Sequence, residues 1–236
     1  RQLQLPNRQQ CLLPDTVEVR PKTAIVTFEQ DAEKVTVTLE AGGERATRTA
    51  DVLIGADGAR SQVRRNLGIR ESASYVTVQD FISIAEPIEP YFDCIYMRGI
   101  GDEFAYAYIV PKGDVALIGS VFYPKTKRPW EKQDQVVSML RDRVPQLGEK
   151  VHRESAAALY LRSPDDILPG YGRVLLAGEA GGFMSPSSGE GISYALRTGR
   201  DAGIAAASDP ASALDRYLEL TSAIRADIRR RFRWLP

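Results

Sequence analysis

Histidine is nearly missing from this chain: among 236 residues there is one, His152. That excludes a multi-histidine metal site and leaves little room for a serine–histidine hydrolase. Cysteine is almost as scarce. Cys11 and Cys94 lie far apart and outside any C-x-x-C, so neither a disulfide framework nor a zinc cluster is expected. Net charge is lacking too: 31 basic side chains balance 31 acidic ones, which argues against a nucleic-acid binder. No run of about 18 apolar residues offers a membrane-spanning helix. The sequence opens on Arg1 with no signal-like apolar stretch, and a cytoplasmic location is expected. What the chain does have is 43% hydrophobic and 26% charged residues, the balance of a protein that buries a core. Its length suits one large domain or two small ones.

The first half reads as strands. Thr23–Phe28 and Val35–Glu40 are β-branched and partly alternating, and Glu44–Ala50 makes a third, more exposed strand of a β-meander. Asp51–Ala56 is a short apolar run of the kind buried in parallel sheets. A short helix over Gln62–Leu67 ends at Gly68. Tyr75–Ile84 reads as a strand, broken by the prolines of Glu86–Pro90. Phe104–Val110 and Asp114–Phe122 flank a turn at Pro111-Lys112-Gly113 and predict a hairpin in a second, mainly antiparallel sheet. Glu131–Val144 has helical apolar spacing, and His152–Arg162 returns to a strand. Arg173–Ala177 is another buried strand, followed by a Gly-rich turn and a helix over roughly Gly189–Ala207, with Ser187 and Glu190 at capping-box spacing. Ala211–Phe232 predicts one final helix ending in arginines.

Two segments carry chemistry. The first is Asp51-Val-Leu-Ile-Gly-Ala-Asp57-Gly58-Ala-Arg-Ser61-Gln-Val-Arg64. The second runs Arg173-Val-Leu-Leu-Ala-Gly178-Glu179-Ala180-Gly-Gly-Phe-Met-Ser-Pro186-Ser-Ser-Gly189-Glu190-Gly191-Ile192. Each places a small-residue turn and a carboxylate after a buried strand, where α/β sheets bind ligands. Glycines let the backbone approach a ligand, and a following helix offers unpaired N–H groups to an anion. Asp57 has a plainer use as well, as a cap for the helix that follows it.

These segments resemble the second and third FAD motifs of the p-hydroxybenzoate hydroxylase-type flavoproteins, and within that superfamily the geranylgeranyl reductase-like branch. The first fits the pattern IGADG-x-x-S-x-V-R. The second fits LL-x-GDAAG-F-x-x-P-x-x-GEGI, with the trailing Ala195-Leu-Arg-Thr-Gly199. A third segment, Tyr106-Ala-Tyr108-Ile-Val110-Pro111, resembles the Y-x-W-x-F-P motif of the reductases and the W-x-W-x-I-P motif of flavin-dependent halogenases. The resemblance implies an α/β (α+β) fold: a Rossmann-like FAD-binding domain with a β-meander, plus an antiparallel substrate-domain sheet. It divides the chain into 1–70 and 166–208 for the FAD-binding domain, 71–165 for the substrate domain and 209–236 for a C-terminal helix.

It also implies roles. Asp57 and Gly58 lie near the FAD pyrophosphate and ribityl region, with Arg64 supporting that loop. Gly178, Glu179 and Ala180 form the turn at the ribityl chain, Glu179 standing where the family has Asp. Pro186, Gly189, Gly191 and Ile192 line the flavin ring, and Tyr106, Tyr108 and Pro111 face the substrate cavity. No catalytic acid–base pair is named and no metal is expected. Reduced flavin would pass a hydride to a hydrophobic or isoprenoid C=C bond, with NAD(P)H or another donor supplying electrons. A flavin monooxygenase or halogenase is the alternative.

No G-x-G-x-x-G is present, and the family's first FAD motif, a βαβ unit, has no room before Thr23. The sequence therefore reads as the later part of a flavoprotein, incomplete at the adenosine half, and a scaffold that binds no flavin is a third reading. Other features have plain explanations. His152 reads as a solvated or strand-edge residue, and Cys94 as a buried structural thiol. The aromatics Tyr91, Phe92, Tyr96 and Phe104 read mainly as core. Arg225, Arg229, Arg230, Arg231 and Arg233, with Phe232 and Trp234, read first as a solvated helix end. The sharper reading is a membrane-surface contact peripheral to the bilayer.

Overall fold

A computed structural model describes residues 13–69, 73–96, 100–101 and 104–234. Cys11, Met97, Arg98, Gly99 and the Trp234 side chain lie outside the described residues. Strands β1 (Thr23–Gln30), β2 (Val35–Ala41) and β3 (Glu44–Ala50) form the antiparallel meander, and β3 is exposed throughout. The chain then enters β4 (Leu53–Gly55) and helix α1 (Gln62–Asn66).

A five-stranded sheet follows. It contains β5 (Ser74–Ile84), β6 (Asp93–Ile95), β7 (Phe104–Lys112), β8 (Val115–Phe122) and β9 (Leu147–Leu159), in the order β6-β7-β8-β5-β9. All four neighbouring pairs are antiparallel. Helix α2 (Pro129–Arg141) covers one face. Val78, Ile82, Ile118 and Phe122 from the sheet pack there against Val136 and Leu140 from the helix. Asp80 is fully buried on this face, and a lone carboxylate there would cost several kcal/mol. Arg153 resolves the problem by binding both Asp80 oxygens, at 2.6 and 2.7 Å, and Asp134 of α2 at 2.5 Å.

The chain returns through β10 (Gly170–Tyr171) and β11 (Val174–Leu176). β11 pairs with β4 in parallel, Leu53–Gly55 opposite Val174–Leu176. Helices α3 (Ile192–Ser208), α4 (Ala213–Leu220) and α5 (Ser222–Arg231) close the chain. α3 buries Tyr194, Thr198, Asp201, Ala202 and Ala205, one face at helical spacing. Tyr217 of α4 is fully buried and donates to the Leu176 carbonyl of β11 at 2.9 Å.

Several expectations are corrected. The hairpin turn is Gly113-Asp114, because Pro111 and Lys112 still pair with Ala116 and Val115. β9 covers Leu147–Leu159 rather than His152–Arg162. The capping box is not formed: α3 starts at Ile192 after Gly191, which gives no side-chain cap, and Glu190 instead accepts from the Ser193 N–H at 2.9 Å. The final helix is two helices, broken at Thr221, whose hydroxyl turns back onto the Tyr217 carbonyl. Cys94 is exposed, and Tyr91, Phe92 and Tyr96 are 62–77% exposed, because β6 and the residues flanking it lie at the edge of the sheet. His152 is exposed on the edge strand β9, as expected.

The basic end of α5 is partly spent inside the molecule. Asp227 accepts from Arg230 at 2.6 Å, Arg231 at 2.9 Å and the Tyr194 hydroxyl at 2.8 Å, which pins α5 to the start of α3. Hydrogen bonds from Arg231, Tyr194 and Arg230 pull the Asp227 pKa down to about 2. Burial, then Asp227 itself, pushes Tyr194 up to about 12. A depressed carboxylate contributes stability above its unfolded pKa of about 4 and loses it as pH falls through the folded value. Replacement D227N is therefore expected to lower stability by about 1 kcal/mol at pH 7, discounted for solvent screening. The gap should close between about pH 4 and pH 2 in paired melting curves.

Candidate cofactor and substrate site

Strands β4 and β11 run in parallel and in register, so both motif turns emerge at the same sheet end. The Ala177 N–H donates to the Gly55 carbonyl at 2.9 Å and carries the pairing one residue further. The turns therefore sit side by side although about 120 residues separate them in sequence. Gly178 lets the second turn lie close against α3. Its φ is +56°, and a Cβ there would lie 3.0 Å from the Ala195 Cβ on α3. Its N–H donates to the Thr198 hydroxyl at 2.9 Å.

Asp57 does what a cap does. Its carboxylate accepts from the Ser61 hydroxyl at 2.5 Å and from the N–H groups of Gln62 and Val63 at 2.7 and 3.1 Å. Gly58 follows at φ +73°, turning the chain between strand and helix. Arg64 is buried and supports the second turn directly. It donates to the Ala180 carbonyl at 3.2 Å and to the Asp166 carbonyl at 2.8 Å. Burial pulls the Arg64 pKa below its usual value, opposed by the Asp166 charge.

Glu179 accepts from the Leu159 N–H at 2.6 Å, and the Ala59 N–H of the first turn lies near the same carboxylate. Burial raises its pKa, and the backbone N–H groups of Leu159 and then Ala59 oppose the rise. The extra methylene relative to Asp adds roughly one C–C bond of reach. That reach takes the carboxylate to the end of β9.

The third segment forms the other wall. Tyr108 and its neighbour Gly119 on β8 face each other across the sheet, and a Cβ on Gly119 would run into the Tyr108 ring. The ring therefore lies flat over the glycine. Its hydroxyl accepts from the Gln79 amide, and Phe92 stacks on it at a centroid distance of 5.4 Å and 15°. Burial raises the Tyr108 pKa, opposed by the bond from Gln79. Tyr106 donates to the Ser188 carbonyl at 3.0 Å, bringing this sheet face to the 185–191 turn. Burial, then Cys94, Tyr108 and Tyr96, pushes Tyr106 up to about 12. Pro111 lies further along the same strand.

Ser185 organises the second turn by accepting from the Ser188 hydroxyl at 2.8 Å, and Gly189 bends it at φ +69°. Gly191 gives α3 no cap of its own, the Glu190 carboxylate takes the Ser193 N–H at 2.9 Å, and beside it Ile192 is 79% exposed. An exposed apolar side chain beside a helix N-terminus has the character to meet a flat ring such as a flavin, although the Glu190 carboxylate already takes one of the helix N–H groups. Two clefts flank the first turn. One of about 440 Å³ runs along β4 and reaches Asp57, and one of about 470 Å³ lies between Arg60, Tyr75, Trp130 and Ala156. Neither is lined by Pro186, Gly189 or Ile192: Pro186 is buried, while Gly189 and Ile192 are exposed.

Residues 13–215 match the family model described as FAD binding domain. The chain belongs to this family. It is 31% identical over 190 residues to the protein CbrA of Escherichia coli and of Shigella sonnei, a match covering 78% of this chain and 51% of each relative. The chain thus spans about half the length of the curated relatives it matches. A geranylgeranyl bacteriochlorophyll reductase-like protein from Thermoplasma acidophilum has a similar fold, with a TM-score of 0.68 at 18% identity, over 89% of this chain and 54% of that one. The flavin-dependent halogenase CmlS gives 0.58 at 19%, over 97% and 42%. The anhydrotetracycline hydroxylase OxyS from Streptomyces rimosus gives 0.57 at 22%, over 97% and 49%. These likenesses establish the flavoprotein fold expected from the motifs.

Sequence reasoning missed Gln79, the backbone N–H of Leu159 and the carbonyl of Ser188. Only Gln79 left a signal, as half of the polar pair Gln79-Asp80 inside an apolar strand. The flat Tyr108 ring yields a direct test. G119A is expected to cost about 1–3 kcal/mol in urea denaturation by forcing the ring off its floor, as overpacking does. Y108A combined with G119A should recover part of that loss.

Proposed function

We propose that the chain is the flavin-proximal and substrate-facing part of an FAD-dependent oxidoreductase that reduces C=C bonds in hydrophobic or isoprenoid substrates. The observation that carries this reading is the convergence of both motif turns at one end of the β4–β11 pair, opposite the aromatic face of the five-stranded sheet. Likeness in fold to the geranylgeranyl bacteriochlorophyll reductase-like protein supports the branch. When bound, FAD supplies the two-electron chemistry, with NAD(P)H or another donor as the source of electrons.

The chain's own residues bind and orient. Gly178 and Gly189 let the two turns approach the cofactor closely. The N-terminus of α3, where Glu190 holds the Ser193 N–H, turns its positive dipole end toward the flavin position, and Ile192 offers an apolar contact. Asp57 and Arg64 hold the turns in shape from behind. Tyr108 and Phe92 present a stacked aromatic surface to a hydrophobic substrate and keep that side dry. Pro111 is read as part of the same wall.

A second reading is a monooxygenase or halogenase, in which reduced flavin reacts with oxygen. The Tyr106–Pro111 strand favours it about as well, and the hydroxylase and halogenase folds align over most of the chain.

The test uses the full-length protein purified with added FAD. It is expected to be yellow, with flavin absorbance, and to consume NAD(P)H without oxygen when offered an isoprenoid alkene. Oxygen uptake tied to substrate would replace the first reading by the second. Protein that stays colourless in excess FAD would overturn both.

A further inference from the structure

The five-stranded sheet is joined covalently to the motif turns at one corner only. The chain enters it at Ser74 and leaves it at Leu159, and these two residues are register partners on the neighbouring strands β5 and β9. A plate attached by two adjacent strands can swing about that corner. Among the described residues, two hydrogen bonds between sheet and turns oppose the swing. At the attached corner, Glu179 of the second turn holds the Leu159 N–H at 2.6 Å, and the Ala59 N–H of the first turn lies near the same carboxylate. β9 is an edge strand, so without Glu179 this half-buried N–H would lose its acceptor. The second bond lies on β7, separated from β9 by β8 and β5 and therefore roughly 14 Å away. There Tyr106 donates to the Ser188 carbonyl at 3.0 Å, and its oxygen sits 3.2 Å from where a Cβ on Gly189 would be.

We propose that Glu179 and Tyr106 are positioning residues forming a two-point clamp that fixes the substrate sheet over the cofactor turns. Glu179 is the pin at the attached corner, and Tyr106 is the latch at the free one. One attachment fixes a distance, whereas two separated attachments also fix an angle. The angle matters because reacting atoms must meet within a few tenths of an ångström. Glu179 thus serves the backbone N–H at the end of β9, and the length of Glu, not its charge alone, is what the site uses. The clamp is a property of the chain itself; that it orients a flavin and a substrate rests on the flavin reading above.

The experiment has two arms. In the first, amide hydrogen exchange is followed without FAD. E179D and E179A are expected to speed exchange at Leu159 about ten-fold or more, while E179Q, which keeps the length and one acceptor, protects it. Y106F should speed exchange at Gly189 and leave Leu159 unchanged. Unchanged exchange at Leu159 in E179D, or at Gly189 in Y106F, would overturn the clamp. In the second arm, the full-length protein is titrated with FAD and its visible circular dichroism recorded. E179D and Y106F are expected to change the flavin signal and weaken binding several-fold, with E179Q closer to wild type. If E179D bound FAD as tightly as wild type or tighter, with an unchanged signal, Glu179 would be a direct cofactor ligand and the clamp would fall. Wild-type protein that bound no FAD would remove the flavin reading alone, and the exchange rates would still decide the clamp.

Discussion

Three residues pairing with three hold this molecule's chemistry together. Leu53–Gly55 and Val174–Leu176 run in parallel, and only that direction delivers both motif turns to the same end. The pairing is short, so it needs support from every side. Val63 of α1 and Leu176 sit against Gly55 so closely that a Cβ there would lie 2.8 Å from each. Tyr217 ties α4 to Leu176, Thr198 ties α3 to Gly178, and Arg64 ties α1 to Ala180. Each link comes from a different element and ends within five residues of the same strand. A hydrogen bond to a neutral partner contributes about 1 kcal/mol, so the junction depends on their number rather than on any one of them.

The five-stranded sheet divides its labour by face. One side is an ordinary core against α2, with a single buried carboxylate matched by Arg153. The other side is aromatic and polar at its rim, with Tyr106, Tyr108 and Phe92 over a glycine floor. The period of two along each strand sets this division, because Val78, Asp80 and Ile82 point one way and Gln79 and Phe81 the other. A one-residue slip in β5 would exchange the faces and place Gln79 in the core.

Much of this was legible in the sequence, and the reason is physical. The meander, the buried strands before Asp57 and Gly178, and the hairpin of β7 and β8 all follow from local patterns of apolar residues and turn residues. The two motif turns were legible because glycine and carboxylate positions there are set by backbone geometry. What stayed hidden depends on contacts between distant segments. Nothing local marks the N–H of Leu159 as the partner of Glu179, or the carbonyl of Ser188 as the partner of Tyr106. The S-x-x-E spacing at Ser187 misled because the 185–191 turn uses its serines on one another, which delays the helix to Ile192. Cys94 and its aromatic neighbours misled because composition cannot tell an edge strand from a covered one.

The whole five-stranded sheet lies within the loop that the β4–β11 pair closes. Ordering some 120 flexible residues to bring two three-residue strands together is entropically steep for so few hydrogen bonds. A sheet that has already folded shortens that loop, because its entry at Ser74 and exit at Leu159 are adjacent strands. The chain should therefore assemble from the inside out. Antiparallel pairing and the α2 face come early, and the parallel seam forms last. The site that joins the two motifs would then be the final part of the protein to exist and the first to be lost on unfolding.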